Sequence, residues 1–203
     1  MVTKLKKGLD IKLIGEAEKV IRDYSTGHYA VKPTDFKGVY PKLLVHEGDK
    51  VKAGTPLFFD KYRDAIRVAA PVSGTVTEIK RGKKRVIEEI RIDCDPQPAY
   101  ETFATADPSG MDRQAVLEHM LKTCTFPVIR QLPYAVVASP DVTPKGIFIS
   151  AFDTSPLAPD MDLLVEGEAE AFQAGINALG KLTDGKVHLG VHPEKTRSKV
   201  FME

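Results

Sequence analysis

The chain has 203 residues, with 29 Lys and Arg against 28 Asp and Glu, for a formal net charge of +1. Hydrophobic residues make up 42% and charged residues 28%, the balance of a globular protein, and at ~100–200 residues per domain the length allows one large domain or two small ones. The even charge excludes a protein that grips nucleic acid over its whole surface, and two cysteines, Cys94 and Cys124, are too few for a disulfide framework or a Cys-rich zinc site.

The first residues, Met1-Val2-Thr3-Lys4-Leu5-Lys6-Lys7-Gly8, have the basic start of a signal peptide but no apolar core behind it. Residues 29–95 are rich in short β-type runs broken by Gly and Pro. Two of these runs read as strand, charged turn, strand: residues 43–51 around Gly48 and residues 76–86 around Gly82. Each glycine is expected to supply the positive φ of a tight turn. Two such hairpins, related by a pseudo-dyad, would bury inner faces that neither can protect alone. A polar, Pro-containing stretch, residues 95–110, then leads to a second unit.

That unit opens with a predicted helix capped by Asp112, its apolar stripe being Val116, Leu117, Met120 and Leu121. Pro127 and Pro133 predict an extended connection. Residues 146–152 form a continuous apolar run, which suits a central strand covered on both faces. Val165, Ala169, Phe172, Ile176 and Leu179 recur at helical spacing. Glu166, Glu168 and Glu170 fall in the first half, where the helix dipole favours them, and Gly180 stands at the end. Residues 186–191 read as a further strand, so strand, helix and strand make a βαβ unit with a parallel sheet. Two strands are a poor end for a doubly wound sheet, and the chain is expected to be a fragment of a longer protein. No run approaches the ~18 apolar residues of a membrane span, which predicts a chain that is soluble or held at a membrane through partners.

The segment Glu47-Gly48-Asp49-Lys50-Val51-Lys52-Ala53-Gly54-Thr55-Pro56-Leu57, followed by Ala70-Pro71-Val72-Ser73-Gly74-Thr75-Val76, resembles the biotinyl/lipoyl carrier fold. That resemblance implies a modified lysine at the hairpin tip between the two blocks. Alignment on Ala70-Pro71 places Arg63 there instead, with Lys61 two residues away and off the tip. A guanidinium stays protonated and is not acylated as an amine is. The fold is therefore expected without the carrier chemistry.

Further blocks narrow the match: Lys6-Lys7-Gly8-Leu9-Asp10-Ile11, the stretch Ile79-Lys80-Arg81-Gly82-Lys83-Lys84-Arg85-Val86, Ile147-Phe148-Ile149-Ser150-Ala151-Phe152-Asp153-Thr154-Ser155-Pro156, Phe172-Gln173-Ala174-Gly175-Ile176 and Leu182-Thr183-Asp184-Gly185-Lys186-Val187. Together they resemble the A subunit of the Na+-translocating NADH:quinone oxidoreductase, in its N-terminal portion. The resemblance implies a biotinyl/lipoyl-like barrel-sandwich hybrid followed by an incomplete parallel-sheet, Rossmann-like α/β domain. The expected division is an N-terminal segment, 1–28, packing on the later domain, a barrel-sandwich domain, 29–98, and a partial α/β domain, 99–203. The resemblance further implies a peripheral subunit on the cytoplasmic face of the bacterial inner membrane, docked on the membrane-embedded B subunit. It also implies no cofactor bound in this chain, ubiquinone or menaquinone as substrate of the complex, and flavins and iron–sulfur on other subunits. The chain departs from the family's Arg-Thr-Arg-Pro-Phe run, having Arg130-Gln131-Leu132-Pro133-Tyr134, and has Tyr40-Pro41 in place of an Arg-Pro pair.

Candidate residues follow. Phe126, Arg130, Pro133 and Tyr134 offer aromatic faces and donors for a quinone ring and its carbonyls, against the reading of a Pro-rich linker packed on the core. Asp153 follows the central strand, where ligands of parallel sheets sit, though it also suits a plain Asx turn. Lys80, Arg81, Lys83, Lys84 and Arg85 are a candidate docking cluster for an acidic partner or anionic headgroups, against a solvated hairpin tip. His188 and His192 lack further ligands for a metal, Cys124 has no base beside it, and no Gly-rich fingerprint for NADH appears. Three alternatives stand beside a quinone-site role. One is purely structural service in assembly of the complex, and another is a carrier domain. The third is the C subunit of the Rnf electron-transport complex, whose Cys-rich cluster motifs this chain lacks.

Overall fold

In a computed structural model, residues 14–15 and 17–202 are described. The block Lys6-Lys7-Gly8-Leu9-Asp10-Ile11 and the first part of the segment 1–28 lie outside them. The first unit is built from β1 (His28–Val31), β2 (Pro41–Leu43), β3 (Lys50–Val51), β4 (Pro56–Asp60), β5 (Arg63–Ala69), β6 (Gly74–Arg81) and β7 (Ile87–Cys94). They form a four-stranded sheet in the order β1-β7-β6-β3 and a three-stranded sheet in the order β2-β4-β5. Leu57, Phe58, Val76, Ile90 and Ile92, each at 0% exposure, lie in the core between them.

The two motif blocks earn their residue types here. Gly48 (φ +93°) and Gly54 (φ +99°) hold left-handed turns, and Val51 and Leu57 enter the core. The Asp49 carboxylate accepts the His46 amide at 2.7 Å. Gly74 begins β6 so close to β7 that a Cβ would sit 2.0 Å from the Asp93 carbonyl oxygen.

Residues 76–86 lie in an antiparallel hairpin, β6 paired with β7. Residues 43–51 do not: β2 pairs with β4 and β3 with β6, in different sheets. The Gly48 turn carries the chain between sheets, its amide donating to the Val76 carbonyl at 2.7 Å. The second hairpin of the unit is β4–β5. Gly82 also differs from expectation, since its φ is −95°. Positive φ falls instead on Lys84 and Arg85. A Cβ at Gly82 would sit 1.9 Å from the carboxylate of Glu88, a half-exposed side chain that can swing aside, so nothing in the turn demands glycine there.

The second unit contains α1 (Arg113–Lys122), β8 (Arg130–Gln131), β9 (Val136–Val137), β10 (Gly146–Ser150), α2 (Met161–Leu164), α3 (Ala169–Lys181), β11 (Lys186–Gly190) and α4 (Lys199–Met202). Asp112 caps α1 as its sequence predicts, accepting the Ala115 amide at 2.8 Å. β10 and β11 pair in parallel with α3 between them in the chain, the expected βαβ unit. Val116, Leu117, Phe126, Val137 and Leu182 form its core, joined by Ile66 from β5.

Four expectations change in this unit. Pro127 lies in a 3-10 turn, Phe126–Val128, and Pro133 lies in the loop of the short β8–β9 hairpin, so neither sits in an extended link. The helix predicted from Val165 starts at Ala169, because Gly167 (φ +83°) breaks the chain after α2 and leaves Val165 and Glu166 outside. Gly180 stays inside α3, whose cap is Leu182. The run 146–152 is not covered on both faces: Phe148 is 74% exposed and stacks on His188, centroids 4.7 Å apart. His188 lies in β11 and His192 past its end.

Candidate functional site

The β6–β7 hairpin carries the cationic cluster at its tip. Lys80 is the member that is neutralised, lying 3.7 Å from Glu88 and 3.9 Å from Glu89. Arg81 donates to the Arg85 carbonyl at 3.5 Å. Among the described residues, no acidic side chain pairs with Arg81, Lys83, Lys84 or Arg85, and all four are exposed. An exposed cluster of like charge at a turn can meet an acidic surface, and salt weakens that attraction.

The quinone candidates do not come together as one group. Phe126 is 4% exposed and packs with Val116, Leu117 and Val137, so its ring belongs to the core. Arg130, Pro133 and Tyr134 lie on the β8–β9 hairpin and are exposed, Tyr134 at 74%. Asp153 stands in an exposed turn after β10, where it accepts the Ser155 amide at 2.8 Å. Hydrogen bonds from the Ser155 side chain and backbone hold its carboxyl below the usual range. These are the contacts of an Asx turn.

The β8–β9 hairpin is fastened to the first unit at several points. The Lys37 ammonium donates to the Tyr134 carbonyl at 2.9 Å, and the Val137 amide donates to the Lys37 carbonyl at 2.8 Å. Gly38 approaches so closely that a Cβ would meet the Val136 Cβ at 3.0 Å. The tip of β4–β5 reaches the same place. Lys61 and Tyr62 form the two-residue turn, so Lys61 is at the tip and Arg63 begins β5, a correction to the alignment on Ala70-Pro71. Arg63 turns inward to Asp60, Nε to Oδ2 at 2.7 Å. Sequence reasoning noted Arg63 only as a lysine that was missing. Its partner Asp60 stands three residues earlier and is 1% exposed, a burial that the sequence does not reveal.

Comparison with known proteins bears on both units at once. Residues 3–95 match the model of the NqrA N-terminal barrel-sandwich hybrid domain, and residues 111–202 match that of the NqrA second alpha/beta domain. The chain belongs to the NqrA family. Its relatives named as the A subunit of Na(+)-translocating NADH-quinone reductase include one from Yersinia pseudotuberculosis, 37% identical over 189 residues, which are 92% of this chain and 42% of the relative. The relative from Pasteurella multocida is 37% identical over 192 residues, 93% of this chain and 43% of its own length. That from Saccharophagus degradans is 36% identical over 187 residues, 91% and 42%. The chain thus spans about two fifths of the length of these NqrA relatives. The barrel-sandwich and α/β architecture expected from the sequence is the one these NqrA domains have. No described helix is long and apolar enough to cross a membrane.

Proposed function

We propose that the chain is part of a peripheral subunit of a sodium-translocating NADH:quinone reductase, lying on the cytoplasmic face and docked on the membrane-embedded B subunit. In this reading it binds no redox centre, and flavins and iron–sulfur lie on other subunits. The observation that carries it is the match of both units to NqrA domains, with relatives named as the A subunit of that reductase. The Rnf alternative loses its support to the same match. The proposed division is 1–28, 29–98 and 99–203, and the Lys19–Asp160 ion pair at 3.3 Å supports packing of the first segment on the last.

Arg130, Pro133 and Tyr134 are the residues offered to ubiquinone or menaquinone. The guanidinium and phenol are donors for quinone carbonyls, and Tyr134 is an aromatic face open to solvent. Phe126 supports them from the core, and Asp153 stands in a separate turn. The cluster at Arg81, Lys83, Lys84 and Arg85 is offered to the partner. The test uses the assembled complex carrying Arg130→Ala with Tyr134→Ala, or Lys83→Glu with Lys84→Glu and Arg85→Glu. The first pair is expected to raise KM for quinone while the complex still copurifies whole. The charge reversals are expected to release this chain from its partners when salt rises. An unchanged KM returns the hairpin to the assembly-only reading, and unchanged copurification removes the cluster from the docking surface.

A further inference from the structure

The geometry points to Asp60 and Arg63 as a lock between the two units, built at the hairpin tip and fixing the orientation of the β8–β9 hairpin on the barrel. Arg63 belongs to the first unit, yet its guanidinium is shared with the second. Nε donates to Asp60 Oδ2 at 2.7 Å. Nη1 donates to the Val137 carbonyl at 3.3 Å and the Ala138 carbonyl at 3.4 Å. Nη2 donates to the Gly38 carbonyl at 3.1 Å. All three nitrogens of the guanidinium are therefore used, in a planar fork that one ammonium cannot copy.

The carboxylate is equally committed. Asp60 Oδ1 accepts the Tyr40 amide at 3.1 Å and the Tyr62 amide at 3.3 Å, so both of its oxygens are occupied. One acid and one base cancel at a site where the acid is 1% exposed, and the arginine reads carbonyls of both units at once. Around it, Phe36 and Val39 pack against the cores of both units. The tip of this hairpin is consequently a fixed contact rather than a mobile arm. The hairpin that bears Arg130 and Tyr134 takes its position from the barrel. This holds whatever that hairpin binds.

Hydrogen exchange on the whole chain tests the lock, because local opening is read amide by amide. The Val137 amide, bonded to Lys37, and the Ala138 amide, bonded to Ile129, report on the joint. Arg63→Lys keeps the charge for Asp60 and removes the fork. It is expected to speed exchange at Val137 and Ala138 by about ten-fold or more, with Ile90 and Ile92 of β7 and Val116 of α1 unchanged. The double variant Asp60→Asn with Arg63→Met leaves no buried charge unpaired and gives the same reading if Arg63→Lys does not fold. Parent-like exchange at Val137 and Ala138 would overturn the proposal, since apolar contact alone would then hold the joint. Acceleration at all five amides together would overturn it too, since Arg63 would then be a general stabiliser.

Discussion

The two units bury their sheets differently. In the first, strands from two sheets face each other, and five core residues are wholly excluded from solvent. In the second, a two-stranded parallel sheet carries Phe148 at 74% exposure, and α3 has no fully buried residue. The second core is also completed from outside, by Ile66 of β5. A closed pair of sheets supplies its own apolar partners, whereas two strands and their helices must share those of a neighbour. The first unit should therefore hold its structure when the second is weakened.

Ile66→Ala is the largest test of that dependence. Truncating a fully buried isoleucine costs about 2–5 kcal/mol, transfer and cavity together. Ile66 is on a barrel strand but packs in the second core, so the loss is expected in the amide protection of α1 and β11 more than in β7. Loss confined to the barrel would show that the second core does not depend on it. Asp112→Ala is smaller. Removing the cap of α1 is expected to cost about 1 kcal/mol, read as a lower urea midpoint for α1 amides with those of β6 and β7 unmoved.

Much of this contrast was legible in the chain. The resemblance of the two motif blocks to the biotinyl/lipoyl carrier fold pointed to the barrel, and Gly48 and Gly54 answer a local backbone demand there, whereas Gly74 answers the approach of β7. The cap at Asp112 and the βαβ order were legible from residue type and spacing. Which strands pair was not, because the strand at 50–51 joins β6 through contacts distant in sequence. Exposure of Phe148 was not, because an apolar run states a preference for burial and not the presence of a cover. Of the candidate site, residue type gave the chemistry of Arg130 and Tyr134 but not their place on an exposed hairpin. The burial of Phe126 and the inward turn of Arg63 depend on how two units meet, and no local pattern encodes that.

The smallest test concerns acid. Asp107 caps the 3-10 turn Pro108–Gly110, its carboxylate accepting the Ser109 amide at 2.9 Å. That turn is held to α3, since the Lys181 ammonium donates to the Ser109 carbonyl at 3.0 Å and the Asn177 amide to the Ser109 hydroxyl at 3.3 Å. Hydrogen bonds from the Ser109 backbone and side chain, with the Lys181 charge adding to them, hold the Asp107 carboxyl below its usual range. A carboxyl depressed in the folded state binds its proton more readily in the unfolded chain. Its contribution is thus complete above the ordinary range of about 4 and is lost as pH falls through the depressed value. The urea midpoint of Asp107→Asn should therefore lie below that of the parent at neutral pH, and the gap should narrow on acidification below about pH 4. A gap that widens in acid would mean that the turn prefers the protonated acid, and the contact between the entry of the second unit and α3 would need another source.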